Sequence, residues 1–97
     1  MTNNIKRYHA LVSGRVQGVS FRYYTTLKAR ELDIVGWVMN RADGQVEVLA
    51  EGTQEALEQL DIFLHEGSPS ALVENVEATY EDATGDFSEF STVYFMR

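Results

Sequence analysis

The chain contains no cysteine, a single proline, a single tryptophan and only 8 basic residues against 15 acidic ones. Without cysteine there is no disulfide to brace a small fold and no thiolate to hold a metal, so the domain must stand on packing alone. No stretch approaches the roughly 20 apolar residues of a membrane span, and the opening MTNNIKRYHALVSG lacks the apolar run of about 7 to 15 residues that marks a secretory signal. A soluble, cytoplasmic protein with no membrane partner is expected. The shortage of base, with a pI near 4.6, speaks against a nucleic-acid partner, because long-range attraction of a phosphate backbone needs a basic face.

What is present suits one core. Ninety-seven residues at 44% hydrophobic make a single domain over 1–97, with no room for a second. The charges are unevenly shared. Seven of the eight bases (Lys6, Arg7, Arg15, Arg22, Lys28, Arg30, Arg41) fall in the first 41 positions with two acids, Glu31 and Asp33, while thirteen acids and Arg97 occupy the rest. The acidic part reads as a solvated surface, and the basic part can draw in a small anion.

Residues 5–13, IKRYHALVS, are rich in β-branched and aromatic types and are bounded by Gly14, which predicts a strand. From Phe21 the period changes. Phe21, Thr25, Ala29 and Leu32 make one helical stripe that ends near Asp33. Residues 34–41 and 45–52 flank Ala42-Asp43-Gly44, a turn sequence that closes a β-hairpin. Thr53 caps a second helix with Glu55 in its first turn, and Ala56, Leu57, Leu60, Phe63 and Leu64 form its apolar stripe up to Gly67 and Pro69. A strand over 75–82, a loop, and the β-rich FSTVYFMR close the chain. The order β-α-β-β-α-β, with room for an extra edge strand, predicts an α+β ferredoxin-like sandwich: an antiparallel sheet with two helices on one face.

The segment GRVQGVSFR, residues 14–22, lies where strand turns into helix. A loop entering a helix offers unpaired backbone N–H groups and the positive end of the helix dipole, which together favour an anion. Gly14 and Gly18 let the backbone curl, and Arg22 can add a bidentate cationic fork. Neither a Walker A loop, which needs Lys and a hydroxyl, nor G-x-G-x-x-G fits this segment. By itself the segment is compatible with an anion cradle or with an ordinary connection carrying a surface arginine.

The segment resembles the acylphosphatase signature G-[KR]-V-Q-G-V-x-[FY]-R. Gly36-Trp37-Val38-Met39-Asn40 with Asp43-Gly44-Gln45-Val46-Glu47 is similar to that family's second signature, G-W-V-x-N-x-x-D-G-x-V-E. Gly67-Ser68-Pro69-Ser70-Ala71 with Val76-Glu77 extends the likeness over most of the chain. The resemblance implies a ferredoxin-like fold and a monomer that hydrolyses small-molecule acyl phosphates to a carboxylate and inorganic phosphate, with no metal and no cofactor. It places the phosphate-binding loop on Arg15, Val16, Gln17, Gly18, Val19, Ser20 and Phe21, the essential arginine on Arg22 and the water-positioning asparagine on Asn40.

These residue types suit the chemistry. An acyl phosphate already carries a good leaving group, so the protein has to position the reactants and stabilise charge on the transferred phosphoryl group. Asn40 can accept from water through its carbonyl and donate to a phosphoryl oxygen through its NH₂. Gln17 suits a substrate contact and a loop brace equally well. Thr25 belongs to the packed stripe, Tyr23, Tyr24 and Trp37 to core and rim, and His9 and His65 have no partner at catalytic or metal spacing. At the C-terminus, Thr92 stands where the family usually has an aliphatic residue and Phe95-Met96-Arg97 runs past the usual closing strand, leaving that strand's extent open. The alternatives are a non-catalytic anion-sensing or interaction module of the same fold and an RNA-binding sandwich, the latter opposed by the acidic pI and the missing aromatic-rich motif.

Overall fold

The computed structural model describes residues 5–94. Strand β1 (Ile5–Arg15) leads to helix α1 (Phe21–Glu31), then to strands β2 (Val35–Asn40) and β3 (Val46–Thr53), helix α2 (Gln54–Glu66), and strands β4 (Leu72–Asp82) and β5 (Phe90–Val93). The five strands form one sheet in the order β4-β1-β3-β2-β5. Three of the four pairings are antiparallel, as expected, and the fourth, β2 with β5, is parallel. Its direction follows from connectivity: the chain leaves β4 at one edge, crosses to the other edge, and returns alongside β2.

Alternation along the strands builds the core. Tyr8, Ala10 and Val12 of β1, Val38 of β2, and Val46, Val48 and Ala50 of β3 are fully buried against Phe21 and Ala29 of α1 and Leu57, Leu60 and Leu64 of α2. Each buried aliphatic or aromatic side chain contributes about 1.5–3 kcal/mol through removal from water. The expected stripe of α1 is the buried one, with Thr26 added and Leu32 packed at its margin. Helix α2 starts as expected: Thr53 Oγ1 accepts the Ala56 N–H at 3.1 Å.

Boundaries shift where long-range pairing extends an element. Strand β1 runs on to Arg15 because Gly14 and Arg15 pair with Val73 and Leu72 past a bulge, and this also lengthens β4 to Leu72. Strand β5 ends at Val93, and Phe95-Met96-Arg97 lies outside the described residues. The crossing between β4 and β5 is pinned by buried Glu51, whose carboxylate accepts from Arg7 Nε at 2.8 Å, Thr84 N at 2.9 Å and Gly85 N at 3.1 Å. The two histidines have structural partners: His9 donates to Glu47 at 2.6 Å and His65 to the Asp61 carbonyl at 2.8 Å. Among the described residues no helix is long and apolar enough to cross a membrane, and no three His, Cys, Asp or Glu side chains converge as metal ligands would.

Candidate functional site

The strand-to-helix connection owes its shape to a few backbone angles. Gly14 has φ 120°, and a Cβ there would stand 2.2 Å from the Leu72 carbonyl oxygen, so no other residue lets β4 approach this closely. Gly18 turns the chain with φ 74° in open space. Ser20 then takes φ 62° and ψ 23°, a left-handed conformation that costs a non-glycine residue on the order of 1 kcal/mol. Its hydroxyl caps no N–H of α1, and the first turn carries no acid. The first helical bond runs from Tyr24 N–H to the Ser20 carbonyl at 3.1 Å. Within the described residues, the N–H groups from Gly18 to Tyr23 have no protein acceptor. They form a run of backbone donors at the positive end of α1.

These donors border a cleft of about 640 Å³. Val16, Gly18, Ser20, Phe21 and Arg22 line one side, and Asn40 arrives from the end of β2. Period two along β2 puts Asn40 on the same sheet face as Val38, the face covered by helices, and thus over the start of α1. Asn40 Oδ1 is buried and accepts no hydrogen bond from any described group. A buried carbonyl oxygen without a donor is costly in a packed core and is explained where a ligand or water supplies one. Arg22 has no carboxylate within ion-pair distance among the described residues. Its guanidinium lies 5.1 Å from the centroid of the Tyr94 ring, a cation–π contact, and its N–H groups meet no hydrogen-bond acceptor among the described residues.

The remaining loop residues face other partners. Gln17 Nε2 donates to the Arg41 carbonyl at 2.8 Å and to the Gln45 carbonyl at 2.9 Å, bracing the loop against the β2–β3 hairpin. Arg15 is exposed at the end of β1, outside the cleft lining. The Val19 carbonyl accepts from Ser68 Oγ at 2.7 Å, and Ser68 is itself buried. The role of Ser68 escaped the sequence reading, although it sits inside the third segment of family likeness. Thr26, Leu27, Arg30, Thr92 and Tyr94 were also missed as cleft residues. For Leu27 and Arg30 a signal was present: with Tyr23 they share a second stripe of α1 at spacings of four and three.

Sheet order and helix placement define an α+β sandwich, with a run of backbone donors and Arg22 at the start of α1. The family model for acylphosphatase matches residues 8–92. An acylphosphatase of Marinobacter nauticus is 48% identical over 90 residues, which cover 93% of this chain and 98% of that one. The crystal structure of acylphosphatase from Bacillus subtilis superposes with a TM-score of 0.89 at 40% identity, over 92% of this chain and 99% of that one. An acylphosphatase from Coxiella burnetii gives 0.88 at 41% identity, over 96% of this chain and 100% of that one. The chain belongs to the acylphosphatase family.

Proposed function

We propose that this chain hydrolyses acyl phosphates, with the N–H groups of residues 18–23 and the Arg22 fork binding the phosphoryl oxygens and Asn40 orienting the attacking water. The observation that carries the reading is the meeting, in one cleft, of a run of backbone donors, an arginine and a buried asparagine oxygen that have no partner among the described residues. Water donates one hydrogen to Asn40 Oδ1 and directs its lone pair at phosphorus. The new P–O bond forms as the bond from phosphorus to the acyl oxygen breaks, and the carboxylate leaves with that electron pair. An amide is no base near neutral pH, so the water's proton passes to a phosphoryl oxygen or to solvent. Equatorial oxygens carry the developing charge, and donors already aimed at them need no reorganisation during the reaction.

Gln17 and Val19 serve this site from outside the cleft lining, Gln17 by bracing the loop and Val19 through its tethered carbonyl. The reading includes a monomer acting on small molecules in the cytoplasm. Phosphate release from acetyl phosphate and benzoyl phosphate, measured with EDTA present, tests the proposal. Turnover in chelator is expected, since the donors invoked are N–H groups and a guanidinium. Failure to hydrolyse either compound, or turnover only with an added divalent cation, overturns it.

A further inference from the structure

One carbonyl of the donor loop is held from outside the cleft. Ser68, in the turn between α2 and β4, donates from Oγ to the Val19 carbonyl at 2.7 Å, and only 3% of Ser68 is exposed. Its hydroxyl arrives on a firm support. Gly67, at φ 79°, sits so close to the loop that a Cβ there would stand 3.0 Å from Phe21 Cε2 and 3.0 Å from Ala71 Cβ. Pro69 narrows the backbone freedom of Ser68, and the Ser68 carbonyl accepts from Ala71 N–H at 2.9 Å.

What the Ser68 bond fixes is the orientation of a peptide plane. The peptide joining Val19 to Ser20 is trans, so its N–H points away from its C=O. With the Val19 oxygen turned to Ser68, which does not line the cleft, the Ser20 N–H is directed to the side of the cleft that Ser20 does line. The same plane sets φ of Ser20 at 62°, in the left-handed region. Turning the peptide over would carry Ser20 to a negative φ, which suits a non-glycine residue better, and would aim a carbonyl oxygen at the anion in place of an N–H. The opposing tendencies are similar in size. Left-handed backbone is disfavoured for serine by about 5-fold or more, and a neutral hydrogen bond shifts an equilibrium by about 2- to 10-fold, with a further penalty for a carbonyl left without a donor. A single hydroxyl is enough to decide which way this peptide faces.

On the reading of the site given above, we infer that Ser68 is a positioning residue for phosphoryl binding: by holding the Val19 carbonyl it keeps the Ser20 N–H aimed into the cleft against the backbone preference of Ser20.

The test measures hydrolysis of benzoyl phosphate and its inhibition by inorganic phosphate, beside a thermal melt, for the wild-type chain, Ser68→Ala and the Ser20→Gly/Ser68→Ala double variant. A peptide that turns over before binding lowers affinity by the fraction that faces the cleft, and saturating substrate draws it back. Ser68→Ala should therefore raise KM and the phosphate inhibition constant together, each by about 5-fold or more, while kcat changes by less than about 2-fold. Glycine takes positive φ as readily as negative, so adding Ser20→Gly should recover most of that loss. A hydroxyl that served the fold alone would lower the melting temperature and leave KM in place. If the wild-type chain does not hydrolyse benzoyl phosphate, the proposed activity and this inference fall together. If it does, an unchanged KM and phosphate inhibition constant in folded Ser68→Ala overturn this inference alone, and so does a loss that Ser20→Gly fails to recover. Should Ser68→Ala not fold, the wild-type chain decides: inorganic phosphate should move the Ser20 amide proton resonance downfield, and a Ser20 amide unmoved at saturating phosphate overturns the inference.

Discussion

Gln17 donates to the main-chain carbonyl of Arg41 at 2.8 Å, and its second amide hydrogen reaches the Gln45 carbonyl at 2.9 Å. One side chain thereby ties the loop that presents the backbone donors to the hairpin that follows Asn40. The two halves of the candidate site, separate in sequence, are held in register by this brace.

Replacing Gln17 with leucine keeps the volume and removes both bonds. The Arg41 and Gln45 carbonyls retain other donors, Gly44 N–H at 3.2 Å and Arg41 N–H at 2.8 Å, so stability should fall only slightly. Misplacement between loop and Asn40 should lower kcat by about 10- to 100-fold, as small displacements of reacting groups do. Steady-state kinetics beside a thermal melt checks this; a collapse in stability with kcat intact would make Gln17 a fold residue alone.

Arg22→Lys retains the charge and loses the planar fork. An ammonium cannot reproduce a bidentate contact with a phosphoryl group, nor the same stacking on Tyr94, and kcat/KM is expected to fall by about 10²-fold or more. Inorganic phosphate should bind the variant much more weakly in a calorimetric titration. Wild-type turnover by the lysine variant would remove Arg22 from the site.

Asn40→Ala separates catalysis from binding. Loss of the water-orienting carbonyl should lower kcat by about 10²- to 10³-fold, the scale set by removing an oxyanion-hole donor. Phosphate affinity should change less than in the Arg22 variant, because the loop N–H groups and the guanidinium supply most of the attraction. Single-turnover hydrolysis with calorimetry decides it: abolished phosphate binding in a folded Asn40→Ala chain would make the side chain an anion ligand instead.

Glu51 is expected to contribute to the loss of stability in acid. Burial alone would raise its pKa, but hydrogen bonds from Thr84 N–H, Arg7, Gly85 N–H and the Thr84 hydroxyl outweigh that and hold it below its ordinary value of 4.5. A folded-state pKa below the unfolded one means that the carboxylate's contribution is present above the unfolded value and is lost as pH falls through the folded one. Glu51→Gln should therefore cost on the order of 3 kcal/mol at neutral pH, the effect of breaking a buried ionic network. It should also flatten the fall in stability below about pH 4.5. Urea unfolding of both chains between about pH 3 and pH 7 gives the comparison, and parallel pH curves would remove Glu51 as the acid-sensitive group.

Legibility followed the range of the forces involved. Phe21, Thr25 and Ala29 recur at helical spacing, and Val46, Val48 and Ala50 alternate, because each element must turn one apolar side toward a core; their roles could be read from spacing alone. Gly14 and Gly18 were legible for a similar reason, since the backbone conformations they take are closed to most other residues. Asn40 was recognised through its signature, while its position over α1 came from the sheet face it shares with Val38.

Amino-acid order by itself determined the alternation of strands and helices, the turn at Asp43-Gly44, the cap at Thr53 and the donor-rich loop before Arg22, all set by local backbone and side-chain preferences over a few residues. Tertiary structure alone decided that β5 runs parallel to β2, that Ser68 holds the Val19 carbonyl, that Gln17 braces the hairpin and that Tyr94 lies against Arg22. Each of these joins segments remote in sequence, and none follows from a local preference. They arise because burying the helix faces on the sheet fixes where every loop must pass, and only then do distant polar groups meet.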